Sequence, residues 1–163
     1  MKETAILCVD DEEIVLRSLR RELNRTLGDE YIIETAEGGE DALEVFEELL
    51  KEGYEVPLVI ADQIMPGMKG DELLRRIHAR SPETLKIMLT GQADMEAVTN
   101  AVNQANLYRY IPKPWENTDL CLTIKEAVHS YFQDKKLEEQ HNALQKLYAQ
   151  AQQEIIERKH AEE

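Results

Sequence analysis

Five short apolar runs, each separated from the next by a segment of helical periodicity, constrain the fold of this chain more than any other feature. The first, third and fourth runs are mostly continuous apolar stretches, as expected of parallel strands that are covered on both faces. The second run mixes polar and apolar residues, which is typical of an edge strand. The runs are Ala5–Val9, Tyr31–Ala36, Leu58–Ala61, Leu85–Leu89 and Tyr108–Ile111.

Apolar residues between these runs recur at spacings of three and four, which indicates amphipathic helices. Turn-forming pairs flank them: Gly38-Gly39, Pro66-Gly67 and Ser81-Pro82. Strand and helix thus alternate five times, which predicts an α/β fold with a doubly wound five-stranded parallel sheet. The four stripes are Leu16, Leu19, Leu23 and Leu27; Ala42, Phe46 and Leu49; Leu73, Leu74 and Ile77; and Val98, Ala101, Val102 and Ala105.

The fifth helix is predicted to be much longer than the others. No Gly or Pro follows Asn117, so about 45 residues can form a helix of about 65 Å. A globular domain of about 120 residues has a radius of gyration of only about 13–14 Å. Much of this helix should therefore project beyond the domain. The total charge is -14, of which residues 133–163 carry 5 Lys/Arg and 7 Asp/Glu, or -2, leaving -12 on residues 1–132. We therefore predict a domain over residues 1–130 and a helical extension over residues 131–163.

The extension carries a heptad pattern of fewer than three repeats. Such a seam predicts a homodimer through a parallel coiled coil, and the alternative is a solvated single helix. One core position holds Leu137, Leu144 and Ala151, and the other holds His141, Tyr148 and Ile155.

Composition excludes several functions. An acidic surface repels phosphate backbones, which argues against nucleic-acid binding by this chain. No apolar run approaches the length of a membrane span, and the N-terminus lacks the features of a signal peptide. The two cysteines, Cys8 and Cys121, form no disulfide or metal framework. We therefore expect a cytoplasmic protein.

Reactive side chains follow four of the five predicted strands. The first strand ends in Asp10 and Asp11, the third in Asp62 and the fourth in Thr90, and the fifth leads into Lys113. Ligands of open α/β sheets bind at the carboxyl ends of the strands, so these side chains should converge.

Three converging carboxylates require a cation. At about 5 Å each pair repels by about 3 kcal/mol at an effective dielectric of 20. Oxygen ligands without Cys or His select Mg²⁺ over Zn²⁺. The cation, an ammonium and a hydroxyl can together neutralise a phosphoryl group, with one carboxylate as the nucleophile.

Four motifs in this order resemble the receiver domain of bacterial two-component response regulators. They are the acidic first strand Ile6–Glu12, the phosphoacceptor segment Ile60–Gly70, Leu89–Gly91 and Tyr110–Trp115. The resemblance covers residues 4 to about 130 and is greatest to the subgroup reading Leu-Thr-Gly-x-Ala-Asp and Tyr-Arg-Tyr-x-x-Lys-Pro-Trp. It implies a flavodoxin-like sheet in the order 2-1-3-4-5.

The resemblance also implies roles for individual residues. Asp62 would accept a phosphoryl group from the phosphohistidine of a sensor histidine kinase or phosphotransfer protein. Mg²⁺, or Mn²⁺, would bind Asp11, Asp62 and the backbone carbonyl of Ile64, with Asp10 acting largely through water. Ile64 and Gln92 occupy positions that vary in the family and tune autodephosphorylation.

Further implied roles concern the switch. Lys113 would pair with the phosphoryl group, and the Lys113-Pro114 peptide bond would be cis. Thr90 would move toward the phosphate and Tyr110 would rotate inward. Pro112 departs from the family, in which this position is commonly not proline.

Two other functions have less support from the sequence. A Mg²⁺-dependent phosphohydrolase with an aspartyl-phosphate intermediate typically has a second carboxylate two residues after the nucleophile, where this chain has Ile64. A dimerisation module that is never phosphorylated does not need the Asp, Thr and Lys set. Residues 154–163 resemble the signalling helices that precede sensor-kinase or cyclase output modules, so we expect the chain to be a piece of a longer protein.

Overall fold

The computed structural model describes residues 3–91 and 94–162 and contains a five-stranded sheet in the order β2-β1-β3-β4-β5. All four strand pairs are parallel. The predicted α/β class, the flavodoxin-like strand order and the long C-terminal helix are thereby confirmed. The elements are β1 (Thr4–Val9), α1 (Glu13–Leu27), β2 (Tyr31–Ala36), α2 (Gly39–Lys51), β3 (Glu55–Asp62), α3 (Gly70–Arg80), β4 (Leu85–Thr90), α4 (Met95–Ala105), β5 (Arg109–Pro112) and α5 (Asn117–Glu162).

The chain divides into two compact units, Met1–Tyr131 and Phe132–Glu163. The first unit contains the whole sheet, and the second is the C-terminal part of α5. Among the described residues, no helix has the length and apolar character needed to cross a membrane.

The core of the first unit lies between the sheet and its helices. β1 and β4 are buried throughout after their first residue, as is β3, and β2 forms an edge, as its mixed composition predicted. Because side chains alternate along a strand, the buried strands contribute to layers on both faces of the sheet. One layer includes Leu7, Val59, Phe46, Leu73 and Ile77.

Four strands and one helical stripe differ from the sequence prediction. β1 begins one residue earlier, at Thr4, and β4 ends one residue later, at Thr90. β3 begins three residues earlier than predicted and ends at Asp62. Its register with β1 shifts between Thr4 and Ile6, and such an irregularity accommodates Pro57, which lacks a backbone donor. β5 ends at Pro112, which an edge strand tolerates. Val102 was predicted to be buried but is 51% exposed, because the packed stripe of α4 is the narrower row of Ala97, Val98, Ala101 and Ala105.

Lys86 is a charged side chain in the core, which the sequence did not predict. It is only 1% exposed, and its Nζ donates to the Thr84 carbonyl oxygen at 2.6 Å and lies 3.0 Å from His78 Nδ1. Burial lowers the pKa of Lys86 to about 8. Burial, followed by the charge of Lys86, also lowers the pKa of His78. Folding therefore disfavours the protonated forms of both groups.

We predict that Lys86→Met alters how stability depends on pH. The unfolded lysine titrates at 10.5 and the folded one at about 8, so the cost of burying the ammonium is fully present below pH 8 and disappears as the pH rises toward 10.5. The advantage of Met over Lys in free energy of unfolding should shrink by about 2 kcal/mol between pH 7 and pH 10. Urea denaturation at both pH values measures it.

The control is Lys51→Met at the exposed end of α2, which should follow the wild-type pH dependence. Parallel pH dependence of Lys86→Met and wild type would contradict the assignment.

Candidate functional site

Three carboxylates meet where β1 and β3 end. Val9 of β1 is paired with Ala61 of β3. The next residue along each chain segment, Asp10 and Asp62 respectively, therefore lies beside the other at the carboxyl ends of the two strands. Carboxylate oxygens of Asp10, Asp11 and Asp62 lie within 4.8 Å of one another. Asp10 and Asp62 are buried and Asp11 is exposed. The predicted convergence of the three carboxylates is thus present.

Lys113 follows β5, the edge strand beyond β4, and its side chain extends to this carboxylate cluster. Its Nζ donates to Asp10 Oδ2 at 2.8 Å and lies 3.2 Å from Asp62 Oδ1. Its backbone N–H donates to the Thr90 carbonyl oxygen at 2.8 Å, which ties the residue to the end of β4. The Lys113-Pro114 peptide bond is cis. A single ammonium therefore bridges two of the three carboxylates.

Burial and neighbouring charges shift the pKa values of Asp62 and Lys113. Burial, and then the negative charge of Asp10, raise the pKa of Asp62 despite the attraction of Lys113. Burial lowers the pKa of Lys113, but the hydrogen bond and charge of Asp10 and the charge of Asp62 outweigh it, so the net shift is upward. Burial and the neighbouring carboxylates thus disfavour the ionised form of Asp62 more than the one ammonium favours it. A second cation would stabilise its ionised form.

The donor set suits a hard divalent cation. Three carboxylates without His or Cys are ligands that Mg²⁺ prefers, and exposed Asp11 leaves one side of the cluster accessible to solvent. Ile64 lies two residues after Asp62 in the loop between β3 and α3, and its side chain is 57% exposed. That position offers a backbone carbonyl but no acidic side chain.

Thr90 and Tyr110, the predicted switch residues, lie on neighbouring strands. Thr90 is buried at the end of β4 and is paired with Pro112 of β5. Tyr110 is in β5 opposite Met88, with 46% of its surface exposed. The ring is thus partly in solvent in this structure. Gln92, named above as a variable position, lies outside the described residues.

The loop after Asp62 contains contacts that the sequence did not reveal. Gln63 is 4% exposed and hydrogen-bonds the first turn of α3 through Asp71. A Cβ added to Gly70 would lie 2.3 Å from the Asp62 carbonyl oxygen, so only glycine permits this close approach. Gly67 has a φ of 79°, which favours glycine in the preceding turn. The Pro-Gly motif signalled a turn here, but nothing signalled the Gln63 contacts.

Comparisons with known proteins agree with this geometry. Residues 6–125 match the family model of the response regulator receiver domain. The hydrogenase transcriptional regulatory protein HoxA of Cupriavidus necator is 35% identical over 129 residues, which are 79% of this chain and 25% of HoxA. The chain therefore spans about a quarter of the length of this curated relative.

Solved structures give the same result. The signal receiver domain of an HD domain-containing protein from Pseudomonas fluorescens Pf-5 has 32% identity and a TM-score of 0.73, over 83% of this chain and 94% of that one. A structure described as adenylate cyclase from Rhodopirellula baltica has 29% identity and a TM-score of 0.71, over 85% and 96%.

The family match covers most of the chain, from Ile6 within β1 through the whole of β5. Receiver domains are regulatory phosphoacceptor domains, and a phosphohydrolase is not favoured. The resemblance inferred from the four motifs is confirmed. The chain belongs to the receiver-domain family of response regulators, which are phosphorylation-dependent signalling switches.

Proposed function

We propose that Asp62 accepts a phosphoryl group from the phosphohistidine of a sensor histidine kinase or phosphotransfer protein. The observation that carries this proposal is the Lys113 ammonium between Asp10 and Asp62, at 2.8 and 3.2 Å, with Asp11 in the same cluster. In the transfer, a carboxylate oxygen of Asp62 attacks phosphorus, the P–N bond breaks, and its electron pair stays on the imidazole of the donor.

Lys113 and Thr90 would serve the transferred group. The Lys113 ammonium already contacts an Asp62 oxygen and would offset the negative charge of the phosphoryl oxygens. The Thr90 hydroxyl at the end of β4 would donate a hydrogen bond to one of them. Thr90 ends β4 and Lys113 follows β5, the adjacent strand, so both residues lie at the same edge of the sheet.

Mg²⁺, or Mn²⁺, would be held by Asp11, Asp62 and the backbone carbonyl of Ile64, with Asp10 acting through water. When bound, the cation supplies charge neutralisation for the carboxylates and the phosphoryl oxygens. The raised pKa of Asp62 supports this assignment, since its causes are burial and the charge of Asp10. The residues of the chain orient the nucleophile.

Phosphorylation would then reach an output through β5 and α5. Thr90 would move toward the phosphate and Tyr110 would rotate inward from its partly exposed position. Tyr110 and Lys113 are on the segment that leads directly into α5. The C-terminal helix would carry the change to an output, in the cytoplasm.

A phosphohydrolase is the second candidate and has less support. Such an enzyme needs a proton donor near the leaving group, and the position two residues after Asp62 holds Ile64. The domain would act as a switch and not as a classical enzyme, with at most autophosphorylation from small phosphodonors and autodephosphorylation.

We predict that Asp62 is the site of phosphorylation. Incubation with acetyl phosphate and Mg²⁺ should add one phosphoryl group in intact-mass spectrometry. Asp62→Asn should abolish the addition because the amide is not a nucleophile of this kind. Asp41→Asn, in the exposed first turn of α2, is the matched control and should be labelled normally. Full labelling of Asp62→Asn would refute the assignment.

We also predict that Asp11 is needed for the divalent cation. Asp11→Ala removes one charged oxygen ligand and should weaken Mg²⁺ binding by about tenfold or more in calorimetric titration. Glu13→Ala removes the same charge from an exposed residue that pairs with Arg17 and should change the affinity little. Equal affinities of Asp11→Ala and wild type would exclude this ligand set.

We propose, further, that the second unit forms a parallel coiled-coil homodimer. Leu137, Leu144, Tyr148 and Ile155 of the heptad seam are each more than half exposed in the single chain. Burying such side chains stabilises a dimer by about 1.5–3 kcal/mol each, although association entropy offsets much of this. A parallel arrangement would direct both chains toward outputs at the same end.

The dimer is tested by Leu144→Gln. This change should shift sedimentation equilibrium toward monomer because Leu144 is a seam residue. Leu147→Gln is the matched control, since Leu147 has similar exposure, 63% against 66%, but lies on the flank of the seam. A wild-type protein that is monomeric at high micromolar concentration, or equal effects of the two changes, would count against the seam.

A further inference from the structure

The N-terminus of α3 has no capping side chain at the usual position. The preceding residue is Lys69, which has extended backbone angles and makes no side-chain capping bond. The first four N–H groups of a helix have no partner within the helix. In this part of the fold they lie beside the end of β3, so they need partners from elsewhere.

Gln63 supplies two of these partners and orients a third. Its carbonyl oxygen accepts from the Gly70 N–H at 3.1 Å, and its side-chain Oε1 accepts from the Asp71 N–H at 2.8 Å. Its Nε2 donates to Asp71 Oδ1 at 3.2 Å, and the same oxygen accepts from the Glu72 N–H at 3.0 Å. A buried amide seven residues upstream thus replaces the ordinary cap.

These bonds close the loop that follows the phosphoacceptor. The loop runs from Gln63 to Gly70 and contains Ile64, the expected source of a backbone ligand. Gln63 is also fixed on its other side, because its N–H donates to the Leu89 carbonyl oxygen at 3.1 Å. Gly70 touches the Asp62 carbonyl so closely that no Cβ fits. The loop is therefore anchored to β4, to α3 and to the backbone of Asp62.

We propose that Gln63 is a positioning residue for the phosphoacceptor site: its hydrogen-bond pair with Asp71 holds the Gln63–Gly70 loop in the form that cation binding and phosphoryl transfer at Asp62 require. When the loop is already held in place, Ile64 and Asp62 lose little further conformational freedom as the cation or the phosphoryl group binds. This preorganisation strengthens binding and speeds the reaction. This inference rests on the proposed function, because it assigns Gln63 to the same site.

Three variants separate positioning from simple stability. Gln63→Leu removes both side-chain hydrogen bonds at similar volume. Gln63→Glu keeps an acceptor for the Asp71 N–H but places a carboxylate against Asp71 Oδ1. The double variant Gln63→Glu with Asp71→Asn reverses the pair, because the new amide can donate to the new carboxylate, and it has the same net charge as wild type.

The control for stability alone is Thr84→Val. Thr84 is buried and its hydroxyl donates to the Val56 carbonyl oxygen at 2.8 Å, so the change also removes a buried bond from side chain to backbone. Thr84 precedes β4 and Val56 is near the start of β3, at the ends of the strands opposite to Asp62. Thr84→Val should lower the melting temperature and leave the site unchanged.

The measurements are the Mg²⁺ dissociation constant by calorimetry and the rate of labelling by acetyl phosphate at saturating Mg²⁺, on the full chain. Gln63→Leu and Gln63→Glu should weaken Mg²⁺ binding by about threefold to tenfold, the size expected for a lost hydrogen bond. Both should also slow labelling. The double variant should recover both quantities.

Two results would overturn the inference. In one, the single variants lower the melting temperature as Thr84→Val does but leave Mg²⁺ affinity and labelling rate at wild-type values, so Gln63 only stabilises α3. In the other, the double variant is folded but recovers neither quantity. If Gln63→Leu does not fold, Gln63→Glu and the double variant decide. Wild-type protein that neither binds Mg²⁺ nor is labelled would instead refute the proposed function, and the inference with it.

Discussion

The Lys113 ammonium holds together a cluster of negative charge that would otherwise repel itself. It contacts Asp10 at 2.8 Å and Asp62 at 3.2 Å, while Asp11 adds a third carboxylate within 4.8 Å of the other two. Burial, and after it the charge of Asp10, keep the pKa of Asp62 above its ordinary value, and the single ammonium of Lys113 does not reverse this. These three carboxylates are oxygen donors of the kind that a hard divalent cation prefers, and on this chemistry rests the proposal that Asp62 accepts a phosphoryl group beside a bound cation.

The strand order of the sheet brings the carboxylates of this cluster together. β1 and β3 are neighbours in the sheet although they are separated by β2 in sequence, so residues after their ends must lie together. Lys113 comes from the far edge strand and is tied by its backbone to Thr90. The charged groups are therefore positioned by backbone hydrogen bonds of the sheet. The Gln63 hydrogen bonds to the start of α3 fix the loop after Asp62 in a comparable way.

The fold and the charged part of the site could be predicted because both depend on topology. A residue directly after a buried parallel strand lies at the ligand-binding edge whatever its neighbours are, so Asp10, Asp62 and Thr90 could be placed from sequence alone. Gln63 could not, because its role depends on a partner eight residues away whose position is set by a loop. Lys86 was missed for a similar reason: its burial depends on Thr84 and His78 meeting its amine. Val102 was misplaced because periodicity does not set the width of the packed stripe.

The proposed role of Asp62 is tested most directly by chemical identification of the phosphorylated residue. An aspartyl phosphate is an acyl phosphate, and borohydride reduces its carbonyl carbon to an alcohol with loss of phosphate, leaving homoserine. Protein treated with acetyl phosphate and Mg²⁺ should therefore yield, after borohydride reduction and proteolysis, a peptide with homoserine at position 62. Homoserine at Asp10 or Asp11 in place of Asp62, or a phosphoryl group that survives borohydride on another residue type, would contradict the account.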